Sequence, residues 1–497
     1  MNKKIFIASA FLCLISVSKA QVVSMDSTFS EDGFTQTGVA PPTMYSRPMG
    51  VLPNGNIVLG GLSINPLQLK VNTYNPNGDS ISTIMHPYTA NVDNGATAIK
   101  ILDDGKMLFT NASTQLFRYF ADGTLDSTFG VNGIAPLYGA EIREIVTAPN
   151  GKIFAVGQDW PGGVVLAFDA NGRPDSTFSE DGVFNYQSGD LDFFYSIRLQ
   201  GDGKIVVCGF SYYNSIGRPS TLIRIMANGV LDPSFGEGGV WEDNFSGGGE
   251  AYGMAIQADQ KILITGYTIP PYHAVVARYL PDGNRDSTFG QFGISNIPQV
   301  SEGTDIIIKP DGKILVYGWY NQNSDTHKTA LIQLLPDGSF DPSFGNNGIY
   351  LSPYLGMMPP MTFNLLDDNK IIACGAKSFY TSNSVVRYLA LQRFIMDFNV
   401  GTISPKNSQF EAGLFIYPNP VTTSLTLKFN LEFAENLDLE ILDLNGKPVQ
   451  IVRRNHFFEA GEHEESIQLD GNIPSGQYVL SLWASGKKVI GIQFSKI

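Results

Sequence analysis

LDSTFGVNGI, residues Leu125 to Ile134, decides the reading of this chain. The pattern returns as MDSTFSEDGF from Met25, PDSTFSEDGV from Pro174, LDPSFGEGGV from Leu231, RDSTFGQFGI from Arg285 and FDPSFGNNGI from Phe340. A worn seventh copy, ISTI, lies at 81–84. The copies are spaced by about 52 residues, and a fixed period of that size belongs to solenoids, propellers or arrays.

Each period carries two further signatures. Midway comes a tight turn followed by an apolar run: LPNGNIVLGG from Leu52, LDDGKMLFTN from Leu102, APNGKIFAVG from Ala148, QGDGKIVVCG from Gln200, QADQKILITG from Gln257, KPDGKILVYG from Lys309 and LDDNKIIACG from Leu366. Asn-Gly and Asp-Gly predict two-residue hairpin turns, whose central positions both need positive φ. The run after each turn, such as Ile205-Val206-Val207-Cys208, is too short for a helix and reads as a strand covered on both faces. The third signature, as in LFRYFADGTLD from Leu116 and VARYLPDGNRD from Val276, is another strand ending in a Gly turn. The residues after the DSTFG turn begin one more. Roughly four strands per period fill about 50 residues. Such units predict an all-β fold, a seven-bladed β-propeller over residues 21–400. A ring is preferred to an open array, whose end sheets would stay half bare, and to a β-helix, whose coils are shorter. Closure requires the Met25 copy to complete the last sheet.

The composition suits strands and turns. Of 497 residues, 52 are Gly, 32 Phe and 21 Tyr, and only 16% are charged. A net charge of −14 without any Lys/Arg run argues against nucleic acid and anionic lipid as partners. Cys208 and Cys374 hold one place in two separate repeats, beyond the roughly 7 Å Cα separation a disulfide bridges. Both are expected as free buried thiols.

Residues 1–20 read as a secretory signal peptide. Lys3 and Lys4 precede an apolar run from Ile5 to Val17, and Ser18-Lys19-Ala20 supplies the small residues for cleavage between Ala20 and Gln21. The run is too short to span a bilayer comfortably, and no other stretch looks transmembrane. A polar linker, residues 401–413, follows the last repeat. Residues 414–497 lack DSTFG and show short strands near 424–429, 437–443, 477–483 and 489–494, with turns at Asn445-Gly446 and Pro474-Ser475-Gly476. This is a small C-terminal β-sandwich.

Asp126, Asp286 and Asp341 each follow another Asp by four residues, a carboxylate spacing that would suit calcium. The stronger reading is architectural: Asp, Ser and Thr bond their own turn backbone, while Phe129, Phe178, Phe235, Phe289 and Phe344 fill the space between sheets. No catalytic residue, metal ligand or cofactor is assigned, because G-x-S-x-G, H-E-x-x-H and C-x-x-C do not occur and the five histidines are scattered. The candidate ligand-facing residues are aromatic. Trp160, Tyr212, Tyr213, Trp241, Tyr272, Trp319 and Tyr320 fall where strands give way to longer loops, and loops at one face of a ring commonly carry function. Such rings stack on sugars or fill a protein pocket; simple turn packing is the alternative.

On these signatures, residues from about Met25 to Val400 resemble the delta-60 repeat family of secreted and surface β-propellers, which implies no catalytic residues. The unit at Ile81 has lost both Asp and Phe, so an irregular blade is expected there. The end of the chain resembles a type A sorting domain of the type IX secretion system of Bacteroidota. The resemblance lies in LFIYPNP from Leu414 (Tyr417, Pro418, Asn419, Pro420), LEILDLNGK from Leu439 (Gly446), IPSGQYVL from Ile473 (Gly476, Tyr478) and the closing Lys496. It implies Sec export, the type IX machinery as partner, passage across the outer membrane, removal of the tail near the linker, and release or attachment at the surface. The expected function is a secreted or cell-surface module that binds a glycan or a surface protein. The alternative is a glycan-active hydrolase or lyase with its site in the axial channel. The missing S-x-D-x-G-x-x-W box disfavours it; carboxylates and His clustered at one channel mouth would favour it.

Overall fold

The computed structural model describes residues 21–496, apart from 31–32, 38–39, 41–46, 65–66, 88–95, 112–114, 214–217, 246–247, 270–271, 321–326, 354–356, 367–369, 381–384, 399–414, 418–420, 432–433, 444–446 and 485–486. The expected signal peptide with Ala20, the linker, and Pro418, Asn419, Pro420 and Gly446 lie outside the described residues. Strands and turns, and no helix, make up what is described. The protein divides into two compact units, one of them Val23–Met396 and the other containing Asp397–Ile497.

Among the described residues, seven antiparallel sheets form the first unit. Their inner strands are Met49–Val51, Ala96–Ile101, Glu141–Thr147, Leu191–Leu199, Gly249–Ile256, Glu302–Ile308 and Met357–Leu365, here blades 1 to 7. Each inner strand touches the next, and that of blade 7 touches that of blade 1, so the sheets form a closed ring. Blade 3 shows the pattern, with Glu141–Thr147, Ile153–Asp159, Gly162–Phe168 and Val183–Tyr186 paired in that order. Blade 7 is built from both ends of the unit. Gln21–Met25 and Phe34–Gln36 both pair with Val385–Phe398, with Phe34 opposite Gln392 and Gln36 opposite Ala390.

The DSTF motif is the joint between blades. On Asp126, Oδ1 accepts from Thr128 N at 3.1 Å and Thr128 Oγ1 at 2.5 Å, and Oδ2 accepts from Arg118 Nε at 2.8 Å. Arg118 lies 4.6 Å over the Phe129 ring and donates Nη1 to Ala170 O of blade 3 at 2.6 Å. Phe129 is fully buried, and Gly130 N bonds Asn171 O of the same neighbouring turn at 2.6 Å. Asp232, Arg224 and Phe235 repeat the arrangement, as do Asp286, Arg278 and Phe289. Gln333 replaces the Arg in blade 6, donating to Asp341 at 2.7 Å. The recurring carboxylates are thus engaged within the joint on both oxygens. In blade 1 the strand Ser80–Pro87 runs through the worn copy, and its register slips there at Ile81, a local irregularity. There Ile84 lies against Gly123 of blade 2, as Phe129 lies against Gly172 of blade 3.

The glycines facing these plugs leave no room for a side chain. Gly283 has φ +91°, and a Cβ on it would stand 3.0 Å from Gly236 N and 3.1 Å from the Phe235 ring. Gly283→Ala is expected to lower propeller stability by about 1–3 kcal/mol, from left-handed strain plus overpacking. Urea unfolding of the whole chain, followed through the propeller transition, measures this.

The midway turns differ from the two-residue hairpins expected. In Leu52–Asn56, Gly55 N bonds Leu52 O and Leu52 N bonds Asn56 O, and only Gly55 has positive φ. This is a three-residue loop with a G1-type bulge. The Asp or Asn before the Gly braces the loop through its side chain instead. Asn54 Oδ1 accepts Asn56 N at 3.0 Å, and Asp104 Oδ1 accepts Lys106 N at 3.1 Å. In blade 5 Gln260 takes the glycine's place at φ 66°.

Cys208 and Cys374 are free and buried, in the second strands of blades 4 and 7.

The second unit packs a three-stranded sheet (Phe415–Tyr417, Ser424–Leu431, Gly461–Gln468) on a four-stranded one (Pro448–Phe458, Glu435–Leu442, Gly476–Ala484, Lys487–Lys496). Leu427, Leu439, Ile441, Leu480 and Leu482 fill the space between them. Of the sorting residues, Gly476 pairs with Lys496. Lys496 Nζ donates to Ile473 O at 2.7 Å, and Tyr478 Oη to Pro474 O at 2.8 Å. These three therefore secure one corner of the sandwich. No helix is long and apolar enough to cross a membrane among the described residues.

Candidate functional site: a charged axis and an aromatic face

Four consecutive inner strands, in blades 3 to 6, slip register at one place. Arg143, Tyr195, Tyr252 and Thr304 are the extra residues, and Glu144, Ser196, Gly253 and Asp305 after them pair with Val156, Cys208, Thr265 and Tyr317. A bulge bends its strand and re-aims the side chains around it. Here it supplies two groups of residues with different chemistry.

The first is a network of buried charge at the ring axis. Arg47 Nε meets Glu144 Oε1 at 3.0 Å and Arg47 Nη1 meets Asp305 Oδ2 at 2.6 Å, so one guanidinium ties blade 3 to blade 6. The Arg47 carbonyl accepts Ile99 N of blade 2 at 2.8 Å. Glu144 also accepts from Arg198 Nη1 at 2.7 Å, Ser196 Oγ at 2.7 Å and Ile197 N at 3.0 Å. Asp305 accepts Thr362 Oγ1 of blade 7 at 3.0 Å. Burial by itself would raise the Glu144 carboxyl, but Arg198, Arg47 and the two hydrogen bonds outweigh it and hold it below its usual value. A cavity of about 390 Å³ adjoins the network, with Lys100, Arg198 and Asn364 in its wall. Its carboxylates are bound to arginines.

The second group is a chain of rings on the end of the propeller away from the Gly turns. Trp160 lies 6.4 Å from Phe193, Phe193 4.7 Å from Phe210, Phe210 6.1 Å from Tyr195, Tyr195 5.0 Å from Tyr252, Tyr252 5.8 Å from Tyr267, and Tyr267 6.0 Å from Tyr272. Seven rings thus cross blades 3, 4 and 5 without a break. Phe210, Tyr195, Tyr252 and Tyr267 are buried, whereas Trp160 and Tyr272 at the two ends are 68% and 66% exposed. Polar groups flank the rings in pairs. Arg218 Nη1 donates to Glu250 Oε1 at 2.9 Å, Tyr252 Oη to Glu250 Oε2 at 2.6 Å, and Arg143 pairs with Glu141 at 3.2 Å while lying over Tyr195. Burial pushes the Tyr195 and Tyr267 hydroxyls up, so they stay protonated.

Of the aromatics singled out in the sequence, the structure brings Trp160, Tyr212 and Tyr272 together here. Tyr212 packs beneath Arg218 at 5.3 Å. Tyr213 is adjacent, donating to Glu242 Oε1 at 2.5 Å, with Ser188 Oγ 3.1 Å from its hydroxyl. The others lie elsewhere. Trp241 sits in the outer strand Val240–Asp243, half-buried against the core between blades 4 and 5. Trp319 packs on His327 at 4.9 Å in blade 6, and Tyr320 lines a separate groove with Phe340 and Ile349. Phe193, Tyr195, Phe210, Tyr252 and Tyr267 are interior to strands, so a search of loops passes them over. Aligning the inner strands would have found Tyr195 and Tyr252, which share one repeat position with Arg143. His86 lies within a strand, 4.3 Å from the Phe117 ring. Among the described residues no three His, Cys, Asp or Glu side chains converge to hold a metal.

Residues 200–235, 257–289 and 309–344 match a β-propeller domain of unknown function, DUF5122. Residues 415–492 match the secretion system C-terminal sorting domain. The chain is therefore a β-propeller protein with a type IX sorting tail, addressed to the cell surface or beyond. No curated protein matches it in sequence. Among solved structures, it resembles PorZ of Porphyromonas gingivalis, an essential surface component of the type IX secretion system, at 13% identity and TM-score 0.42, over 93% of this chain and 61% of PorZ. The chain thus spans about three fifths of that protein's length. It also resembles YCF48 bound to a D1 peptide (10% identity, TM-score 0.42, 74% of this chain and 98% of the other) and a polysaccharide lyase (10% identity, TM-score 0.44, 76% and 99%).

Proposed function

We propose that the mature protein is a secreted or surface binding module whose ligand site is the aromatic face of blades 3 to 5. On this reading residues 1–20 are removed at Ala20–Gln21, and residues 414–497 are an address, cut away near the linker 401–413. The observation that carries it is the unbroken chain of rings from Trp160 to Tyr272, with its two ends bare to solvent. Core packing needs no exposed Trp, and large aromatic plates at a surface mark recognition sites. The axial Glu144 supports binding over hydrolysis, because Arg198 and Arg47 hold it in the charged form while a general acid must be protonated at working pH. The test is retention of cell-envelope material, glycan and protein together, on the immobilised full-length chain. The Trp160→Ala, Tyr272→Ala double variant is expected to lose at least tenfold in retention with an unchanged melting temperature. A double variant that retains as much as the parent overturns the proposal.

A further inference from the structure

We propose that the ligand is a neutral polysaccharide gripped at two points, Trp160 and Tyr272. This rests on the aromatic face being the binding site, and it follows from how that face is exposed. Tyr195, Phe210, Tyr252 and Tyr267 lie below the surface at 3–8% exposure. Phe193 and Tyr212 are half-buried, so among the described residues of this face only Trp160 and Tyr272 stand out as exposed plates. A protein partner needs a contiguous buried core, about 800 Å² on each side. A sugar needs less: one apolar ring face covers one aromatic plate, and its hydroxyls point outward to polar groups. Trp and Tyr suit this, being flat, rigid and polar at one edge.

The polar groups between the plates choose the charge of the sugar. Arg218 is paired with Glu250 and Arg143 with Glu141, while Tyr213 donates to Glu242. Each cation already has its carboxylate, so there is no surplus positive charge for an acidic sugar, and the net charge of −14 repels one. The Arg218 guanidinium, exposed over 46% of its side chain, can still donate to sugar hydroxyls.

The spacing chooses its length. Blade 4 lies between the blades that carry the two plates. Packed sheets stand about 10 Å apart, which places blades 3 and 5 on the order of 20 Å apart. One sugar ring cannot reach both plates, whereas a chain can, and two linked contacts bind far better than either alone.

Affinity electrophoresis of the full-length protein tests this, in gels cast with dextran, laminarin, galactomannan or lichenan and, in parallel, with alginate or hyaluronan. Retardation by at least one neutral polymer and by neither acidic one is expected. Trp160→Ala and Tyr272→Ala should each weaken it tenfold or more, Trp160→Phe and Tyr272→Phe should restore most of it, and a disaccharide of the same polymer should not compete. Retardation by the acidic polymers, or by none of the six, overturns the proposal. If none retards while the double variant still loses envelope protein, the glycan assignment falls and the binding face stands. Retardation by a neutral polymer that neither substitution alters removes both.

Discussion

Arg47→Ala is expected to cost the propeller about 3–5 kcal/mol, the usual penalty for stripping one partner from a buried charge cluster. The substitution leaves Asp305 with no cation and Glu144 with Arg198 alone. The urea midpoint of the propeller transition reports the loss. Combining Arg47→Met with Glu144→Gln and Asp305→Asn should recover much of it, since neutral groups need no counter-charge. The pH dependence follows from the same network. Glu144 is held below its usual value, so its contribution is present above the unfolded value near 4.3 and is lost as pH falls through the folded one. Asp286 behaves alike in the joints: burial alone would raise it, but Thr288, Arg278 and Lys261 hold it at about 2. The parent should therefore lose stability steadily between about pH 4 and pH 2. In Arg47→Ala the Glu144 share of that slope shrinks while the joint share remains.

A chain begun at residue 38 is expected to lose the cooperative transition of the propeller altogether. The missing segment carries Asp26, which pairs with Arg393 at 2.7 Å, and Phe29, which is fully buried. Arg393 also lies 4.8 Å over Phe29 and donates to Pro76 O of blade 1, so one joint holds the ends of the ring together. Without it blade 7 lacks its outer strands and blade 1 loses its neighbour's plug, leaving two bare sheet faces. Phe29→Ala alone should cost about 3–5 kcal/mol. Heat-capacity and far-ultraviolet melts of the two variants decide the matter. A truncated chain that melts as sharply as the parent would show that the ring does not depend on its clasp.

What the sequence showed plainly was what it repeated. Asp126, Phe129 and their counterparts are legible because every joint poses one steric problem and solves it in one way. The turns were legible in place and not in type, since Asp104 beside Gly105 serves a side-chain bond to Lys106 N as readily as a left-handed pair. The binding face was half legible. Trp160 and Tyr272 stand in loops, where exposure can be guessed. Tyr195 and Tyr252 stand in strands, and only the bulge, a single extra residue in the pairing, turns them to the face. Trp241 and Trp319 show the reverse error, since closeness to a loop in sequence is not exposure. In the tail, Pro448–Phe458 and Gly461–Gln468 were not legible because most of their residues face solvent, so no alternation of apolar and polar marks them.

The clasp also sets a timetable. Arg393, the partner of Asp26, is made 367 positions after it. At synthesis rates of about 5–20 residues per second, that is a wait of tens of seconds. During it blade 1 has an uncovered face, and the first DSTF copy has nothing to plug. The ring can shut only when the last repeat is out, and the sorting tail follows at once. A nascent chain is thus a closed propeller no earlier than the moment its address begins to appear, and chaperones of the exported chain have that whole interval to guard.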